Sequence, residues 1–496
     1  MKQYLMALDQ GTTSSRTIIF DADGHVVAKV AREFTQYFPK EGWVEHDAME
    51  IWESQLETAR EALRAASLSA TDIAAIGITN QRETTVVWDK KTGRPICPAI
   101  VWQCRRTASR CATLRETGVD KIIREKTGLA ADPYFSATKL QWILQNVPGA
   151  KARAMAGELL FGTVDTWLLY QLTGGKLHAT DPSNASRTML FNIHTLMWDE
   201  ELLQLFDIPC AMLPTVMPTV GVFGSTDAAL FGTPIPIGGV AGDQQAALFG
   251  QGCFEAGDAK NTYGTGGFLL MNTGKTPTAS QNGLLTTVGW QLGGQTTYVL
   301  EGSVFICGAA IQWLRDGLGL LTSSAQSEQL AATVPDSGGV YFVPAFVGLG
   351  TPYWDADTRG TICGITRGTT RAHLVRATLE AMALQTVDVI DAMRRDTGLT
   401  VPLLRVDGGG AANSLLLQMQ SDFAALPLAR PDCIETTAWG AATMAGLAVG
   451  IYSSTQELLA RTATAKLFEP AMPEDQRLAH LEKWHRAIES ARLFAK

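Results

Sequence analysis

Short apolar runs alternate with amphipathic stretches along the chain, and the first two runs pair off at once. Residues 4–8 and 17–21 are apolar and partly β-branched, and a polar turn with Gly11 separates them, which predicts a β-hairpin. A third strand is expected at 26–30. Residues 48–66 place apolar side chains at helical spacing, and 73–79 reads as a buried strand that ends in Asn80-Gln81-Arg82-Glu83. Residues 84–88 and 99–102 look like a second hairpin, and helical periodicity returns over 104–117 and 136–146. Strands and helices alternating in this way predict an α/β fold.

The pattern then begins again. A Gly- and Pro-rich segment at 227–239 leads through an apolar run at 235–241 into a helix at 244–249. Past Gly257 a hydroxyl- and Gly-rich turn, Thr262-Tyr263-Gly264-Thr265-Gly266-Gly267, feeds another apolar run. A hairpin tip near the start of each half implies a duplicated domain, with halves 1–250 and 251–496 meeting within 250–257. Farther on, 404–413 reads as a strand entering a Gly turn, followed by an amphipathic helix at 414–423, and helices at 434–450 and 473–495 close the chain.

A chain of 496 residues exceeds what one core supports, so two domains with a cleft between them are expected. The net charge of −8 and the absence of a Lys/Arg run exclude a nucleic-acid footprint. Any phosphate must therefore be held by local N–H groups, single Arg or Lys residues and a metal ion. Eight scattered cysteines, Cys433 among them, show no C-x-x-C and no paired zinc spacing, which suits reduced thiols in a cytoplasmic protein. The charge-free stretch 436–456 is rich in small residues and only moderately hydrophobic. It reads as a buried helix lying close on a sheet and not as a membrane span.

Three segments have the makings of a nucleotide site. At the first hairpin tip, Gly11 admits a ligand to the backbone, Thr12, Thr13 and Ser14 offer hydroxyls, Arg16 adds positive charge, and Asp9 could face a metal bridging phosphates. An ordinary polar hairpin loop is the alternative. The second segment is Gly264-Thr265-Gly266-Gly267. The third, Asp407-Gly408-Gly409-Gly410, would let a flat ring lie on the backbone before a helix N-terminus. Asp243 opens a helix after an apolar segment, which suits either a helix cap or a general base for an alcohol attacking a phosphoryl group. Arg82-Glu83 could grip neighbouring hydroxyls of a small polyol or form a surface ion pair, and Trp102, Tyr134 and Phe268 could wall such a molecule or sit in the core. Gly274-Lys275-Thr276 lacks the first glycine of a P-loop, and no protein-kinase motif set is present.

The blocks Leu8 to Arg16, Gly42-Trp43-Val44-Glu45-His46-Asp47, Gly77 to Thr85, Trp102 to Arg106, Gly242 to Gly250 and Asn261 to Gly266 resemble the FGGY carbohydrate kinases, specifically their glycerol kinase branch. The resemblance runs from the first strand to about Gly450 and implies two ribonuclease-H-like domains of the actin/Hsp70-like ATPase fold around a deep cleft. It implies ATP, Mg²⁺ and glycerol as ligands, with sn-glycerol 3-phosphate as product. By position, Thr12, Thr13, Ser14, Arg16, Thr265 and Gly266 would meet phosphates, and Gly308, Gln312, Gly409 and Asn413 would line the adenosine pocket. Arg82, Glu83, Tyr134, Asp243 and Gln244 would hold glycerol, with Trp102 and Phe268 as walls, Asp243 as general base and Asp9 beside it on magnesium. A homodimer or homotetramer is the assembly expected. Many bacterial members carry an Arg-containing, Gly-rich loop that binds fructose 1,6-bisphosphate. This chain has no Arg or Lys over 227–234, so inhibition by micromolar bisphosphate is expected to be weak or absent. Other readings are a kinase of another small polyol or ketose, such as dihydroxyacetone or xylulose, and a non-catalytic nucleotide-gated binding protein.

Overall fold

A computed structural model describes residues 4–432, 435–461 and 464–495. Cys433 and the first residue of the helix expected at 434–450 lie outside the described residues.

The first half is built on a six-stranded sheet in the order β5-β6-β4-β1-β2-β3, with β1 (Tyr4–Gln10), β2 (Ser14–Asp21), β3 (Val26–Glu33), β4 (Ile73–Asn80), β5 (Val220–Ser225) and β6 (Pro236–Gly242). β1 to β3 form an antiparallel meander, while β4 and β6 run parallel to β1. β4 is buried along its whole length, so it reads as a continuous apolar run, as expected where both sheet faces are covered. Along β1 and β2 successive side chains serve opposite layers. Met6, Leu8 and Ile19 join the core under helix α1 (Ala48–Ala65), whereas Leu5, Ala7, Ile18 and Phe20 join a second core on the other face. Helix α1 starts where Asp47 accepts hydrogen bonds from the Met49 and Glu50 N–H groups, and its Ile51, Trp52, Ala59 and Ala62 are buried. Helix α2 (Asp243–Gly250) leaves the end of β6 directly.

The second half repeats the plan. Its seven-stranded sheet has the order β9-β10-β8-β7-β11-β12-β13, with β7 (Ala259–Tyr263), β8 (Gly267–Gly274), β9 (Leu285–Leu292), β10 (Gln295–Val304), β11 (Leu404–Asp407), β12 (Leu428–Pro431) and β13 (Thr464–Phe468). Again an antiparallel hairpin, β7 and β8, gains an antiparallel neighbour on one side and parallel strands on the other. Helices α3 (Gly308–Asp316), α4 (Arg371–Thr397), α5 (Ser414–Ala424) and α6 (Thr436–Ala448) follow, and the chain closes with α7 (Glu474–Phe494). Apart from α6, the core of this half gathers under α3, α4, α5 and α7.

Helix α6 departs from this division. Its Ala438, Ala442, Met444 and Ala445 pack with Leu5, Ala7, Ile18 and Phe20 of the first sheet, so the small-residue stretch lies on a sheet as its composition predicts, but on that of the other half. No described helix is long and apolar enough to cross a membrane.

One expected hairpin is absent. Val86–Asp89 pairs antiparallel with Leu159–Gly162, and Ala99–Ile100 pairs with Glu45–His46, leaving a single bridge between Thr85 and Ile100. The ladder with 159–162 carries Trp88 into a buried aromatic group with Trp167 and Tyr170, a burial that a local hairpin would not provide. A helix at Asp120–Thr127, absent from the sequence expectation, also forms.

Candidate active site

The first hairpin turns at Gly11-Thr12-Thr13, and register brings Asp9 opposite Arg16. Arg16 Nη2 lies 2.6 Å from Asp9 Oδ2, and its Nη1 lies 3.4 Å from Glu435 Oε2. Arg16, expected to face phosphates, is thus directed at two carboxylates, with a third of its side chain exposed. Thr13 is exposed, whereas Gly11, Thr12 and Ser14 are half-buried. Burial pushes the Asp9 carboxyl above its usual range; Arg16 opposes this, while Asp243 and Glu435 push it further up.

Asp243 is the first residue of α2, and Gly242 holds the N-cap position, so the helix-cap role falls on backbone and not on the Asp243 side chain. The Gly242 N–H donates to Ser183 Oγ at 3.0 Å, and Ser183 Oγ donates to Asp181 Oδ1 at 3.0 Å, which fixes the turn that presents Asp243. Its carboxylate lies 3.3 Å from Arg82 Nε and is a third exposed.

Arg82 and Glu83 lie at the end of β4 and are buried, which removes the surface ion pair as an explanation. Glu83 holds φ 62°, a left-handed conformation uncommon for Glu and of the kind found where structure around a site enforces it. Tyr134 Oη accepts from Arg82 Nη2 at 3.3 Å, and the Trp102 and Tyr134 rings meet edge-on at 5.4 Å. Trp102 Nε1 donates to Thr12 Oγ1 at 3.0 Å, so the polyol candidates and the first hairpin tip meet through one indole. Gln244 is buried and accepts a hydrogen bond from Lys260, while Phe268 stands half-buried on β8 with its carbonyl 3.5 Å from Lys260 Nζ.

The second hairpin tip docks on the start of α3. Gly308 N–H donates to Gly264 O at 3.0 Å, and the Cys307 and Ala309 N–H groups donate to Thr265 O at 2.9 and 3.1 Å. Thr265 itself is exposed and Gly266 half-buried, and Gln312 is exposed one turn further along the helix. Beyond β11 the chain makes one 3₁₀ turn, Gly409–Ala412, before α5. Gly409 is exposed, and a Cβ there would meet nothing within 4 Å. Asn413 caps α5, accepting from Leu416 N–H at 2.9 Å, and its Nδ2 reaches Ser327 Oγ at 3.4 Å.

The structure therefore joins Asp243, Arg82, Glu83, Tyr134, Gln244, Trp102 and Thr12 through direct contacts, while Gly308 meets the second tip and Gly409 and Asn413 flank the start of α5. Three residues of the first group's surroundings escape sequence reasoning: Arg187, Lys260 and Glu301, each wholly buried and bonded to a member of that group. Arg187 and Glu301 are marked only as charges among small or apolar neighbours, and Lys260, two positions after Asp258, is not marked even by that.

The model of the FGGY carbohydrate kinase N-terminal domain matches residues 4–250, and that of the C-terminal domain matches 259–449. The chain is 58% identical over 486 residues to glycerol kinase 2 of Thermotoga maritima, covering 98% of each chain. It is 58% identical over 496 residues to glycerol kinase of Caldanaerobacter subterraneus, covering the full length of both. Among solved structures it is similar to Plasmodium falciparum glycerol kinase with ADP, at 35% identity and a TM-score of 0.93 over 98% of each chain. Full-length identity of this order, with family models matching both halves, shows that the chain belongs to the FGGY family of carbohydrate kinases.

Proposed function

We propose that the chain transfers the γ-phosphoryl group of ATP to a terminal hydroxyl of glycerol, giving sn-glycerol 3-phosphate. The observation that carries this reading is the convergence of Asp243, Arg82, Glu83, Tyr134 and Gln244 beside the hairpin tip that Trp102 touches. The full-length likeness to curated glycerol kinases points the same way.

Phosphoryl transfer asks a protein mainly for alignment and charge neutralisation. Arg82 donates to, and Glu83 accepts from, hydroxyl groups of the polyol, and the Trp102 and Tyr134 rings cover its carbon face. Asp243 takes the proton of the attacking hydroxyl as the oxygen bonds to phosphorus. The N–H and hydroxyl groups at Thr12 to Ser14 and at Thr265 and Gly266 hold phosphate oxygens from opposite halves. The donor set suits Mg²⁺, since Asp9 is a buried carboxylate within electrostatic reach of the Asp243 carboxylate, and hard oxygen donors of this kind are what the ion takes. When bound by Asp9 and Asp243, the ion would supply positive charge against the phosphates.

ADP release with ATP, measured across a polyol panel, tests the reading. Glycerol is expected to stimulate it strongly. Stimulation by dihydroxyacetone or xylulose but not by glycerol would reassign the substrate, and stimulation by none of them would end the kinase reading.

A second expectation concerns the adenosine side. The open space above Gly409 makes valine there harmless to folding, but a ring lying on that backbone would meet the new side chain. Gly409→Val is expected to leave the ligand-free unfolding temperature unchanged and to weaken ADP binding about tenfold or more, an overpacking cost of ~1–3 kcal/mol. Calorimetric ADP titration decides it, and wild-type affinity would remove Gly409 from the pocket.

A further inference from the structure

Lys260 of β7 lies directly across from Leu270 of β8, and Leu270 lies directly across from Glu301 of β10. Residues opposed in this way share one face of a sheet, so Lys260 and Glu301 project from the second sheet in the same direction, two strands apart. Both are wholly buried, and both reach residues of the first half. Glu301 accepts from Arg82 through both oxygens, at 2.5 Å from Nη1 and 3.1 Å from Nη2. Arg187 Nη2 donates to the same carboxylate at 2.9 Å, and Arg187 Nε donates to Glu83 at 2.7 Å. Glu83 in turn lies 3.7 Å from Arg82 Nε. Two cations and two carboxylates thus close a ring, and Glu301 is its one member from the second sheet. Lys260 makes the parallel contact, donating to Gln244 Oε1 and, at 2.7 Å, to Thr262 Oγ1.

We propose that Glu301 and Lys260 are positioning residues of the polyol site, holding Arg82 and Gln244 from the opposite domain so that the pocket is complete only when both halves form it. The inference rests on the reading of Arg82, Glu83 and Gln244 as polyol ligands. Bidentate acceptance by Glu301 fixes the plane of the Arg82 guanidinium, and Arg187 carries that constraint on to Glu83. Without it, Arg82 retains only Asp243, at 3.3 Å, and Glu83 as nearby carboxylates and swings toward the base. Burial opposes the Glu301 charge, but Arg187 and Arg82 hold its carboxyl down at about 2, whereas at Glu83 burial outweighs the same two guanidinium groups and pushes the carboxyl up.

The test separates charge from position. Glu301→Asp keeps the carboxylate and shortens the reach by one methylene, whereas Glu301→Gln keeps the reach and removes the charge. Both are expected to raise KM for glycerol about tenfold or more while KM for ATP stays within about threefold, because a shift of ~1 Å in a substrate-orienting group is costly even when the chemistry lies elsewhere. kcat is expected to fall less than KM rises. Lys260→Met is expected to give the same split and decides the matter together with Glu301→Asp if Glu301→Gln fails to fold. A wild-type glycerol KM in Glu301→Asp, or KM values for glycerol and ATP that rise together, would overturn the proposal. Wild-type ADP release across the polyol panel tests the kinase reading by itself. The variant-to-wild-type KM ratio, taken with whichever polyol the wild type uses, tests the positioning role, and a wild type that uses none ends both.

Discussion

Asp243→Asn is expected to lower kcat by ~10²–10⁴, the range for loss of a general base, with little change in KM for glycerol. Asparagine retains the size of the side chain and one acceptor oxygen, so the contact with Arg82 Nε, now at 3.3 Å, survives in weaker form. It cannot take the hydroxyl proton. Its structural cost is small. The N-cap of α2 is Gly242, and Asp243 contributes only a negative charge at the first helical residue and a hydrogen bond from Gln244 N–H at 2.8 Å, worth together about 1 kcal/mol. Steady-state kinetics beside thermal unfolding separates the two roles. Near-normal turnover with a lowered unfolding temperature would return Asp243 to a helix-start residue and leave the phosphoryl acceptor without a base.

The parts of this site that the sequence discloses are those written locally. Both hairpin tips announce themselves by Gly and hydroxyl residues between apolar runs, and Asp243 by an apolar strand running straight into a helix. The residues that hold the site together are written nowhere locally. Arg82 and Glu301 are 219 positions apart, and within β10 a lone Glu looks like a solvent-facing position of an alternating strand. Lys260 reads the same way in β7. Their partners depend on how two sheets from separate halves face each other, which no window of periodicity contains. The mistaken hairpin at 84–88 and 99–102 has the same origin: two apolar runs close in sequence compete with a more distant strand at 159–162, and burial of Trp88 decides the contest. Glu83 adds a different kind of blindness, since a φ of 62° at Glu is imposed by its surroundings and carries no residue signature.

Gly440→Val is expected to destabilise the chain by about 3 kcal/mol or more, at the top of the overpacking range, and to lower turnover of the molecules that remain folded. Helix α6 crosses both α2 and the first sheet at backbone contact. A Cβ on Gly440 would lie 1.9 Å from Ala246 O and 3.0 Å from Gly250 N on α2, and a Cβ on Gly77 of β4 would lie 2.0 Å from Ala441 O. Such contacts are with main chain, which cannot rotate away as a side chain can, so the helix must lift off its bed as a unit. The small-residue composition of 436–456, which argues against a membrane span, is the sequence trace of this approach. The effect on turnover follows from which element lies beneath: α2 carries Asp243 at its start, and a displaced α6 removes the surface that fixes α2 against the sheet bearing Asp9 and Arg82. Chemical denaturation measures the first effect and kinetics on the soluble fraction the second. Wild-type stability in this variant would mean that α6 sits farther from α2 than these distances allow, and the second half would then lose its direct structural hold on the helix that presents Asp243.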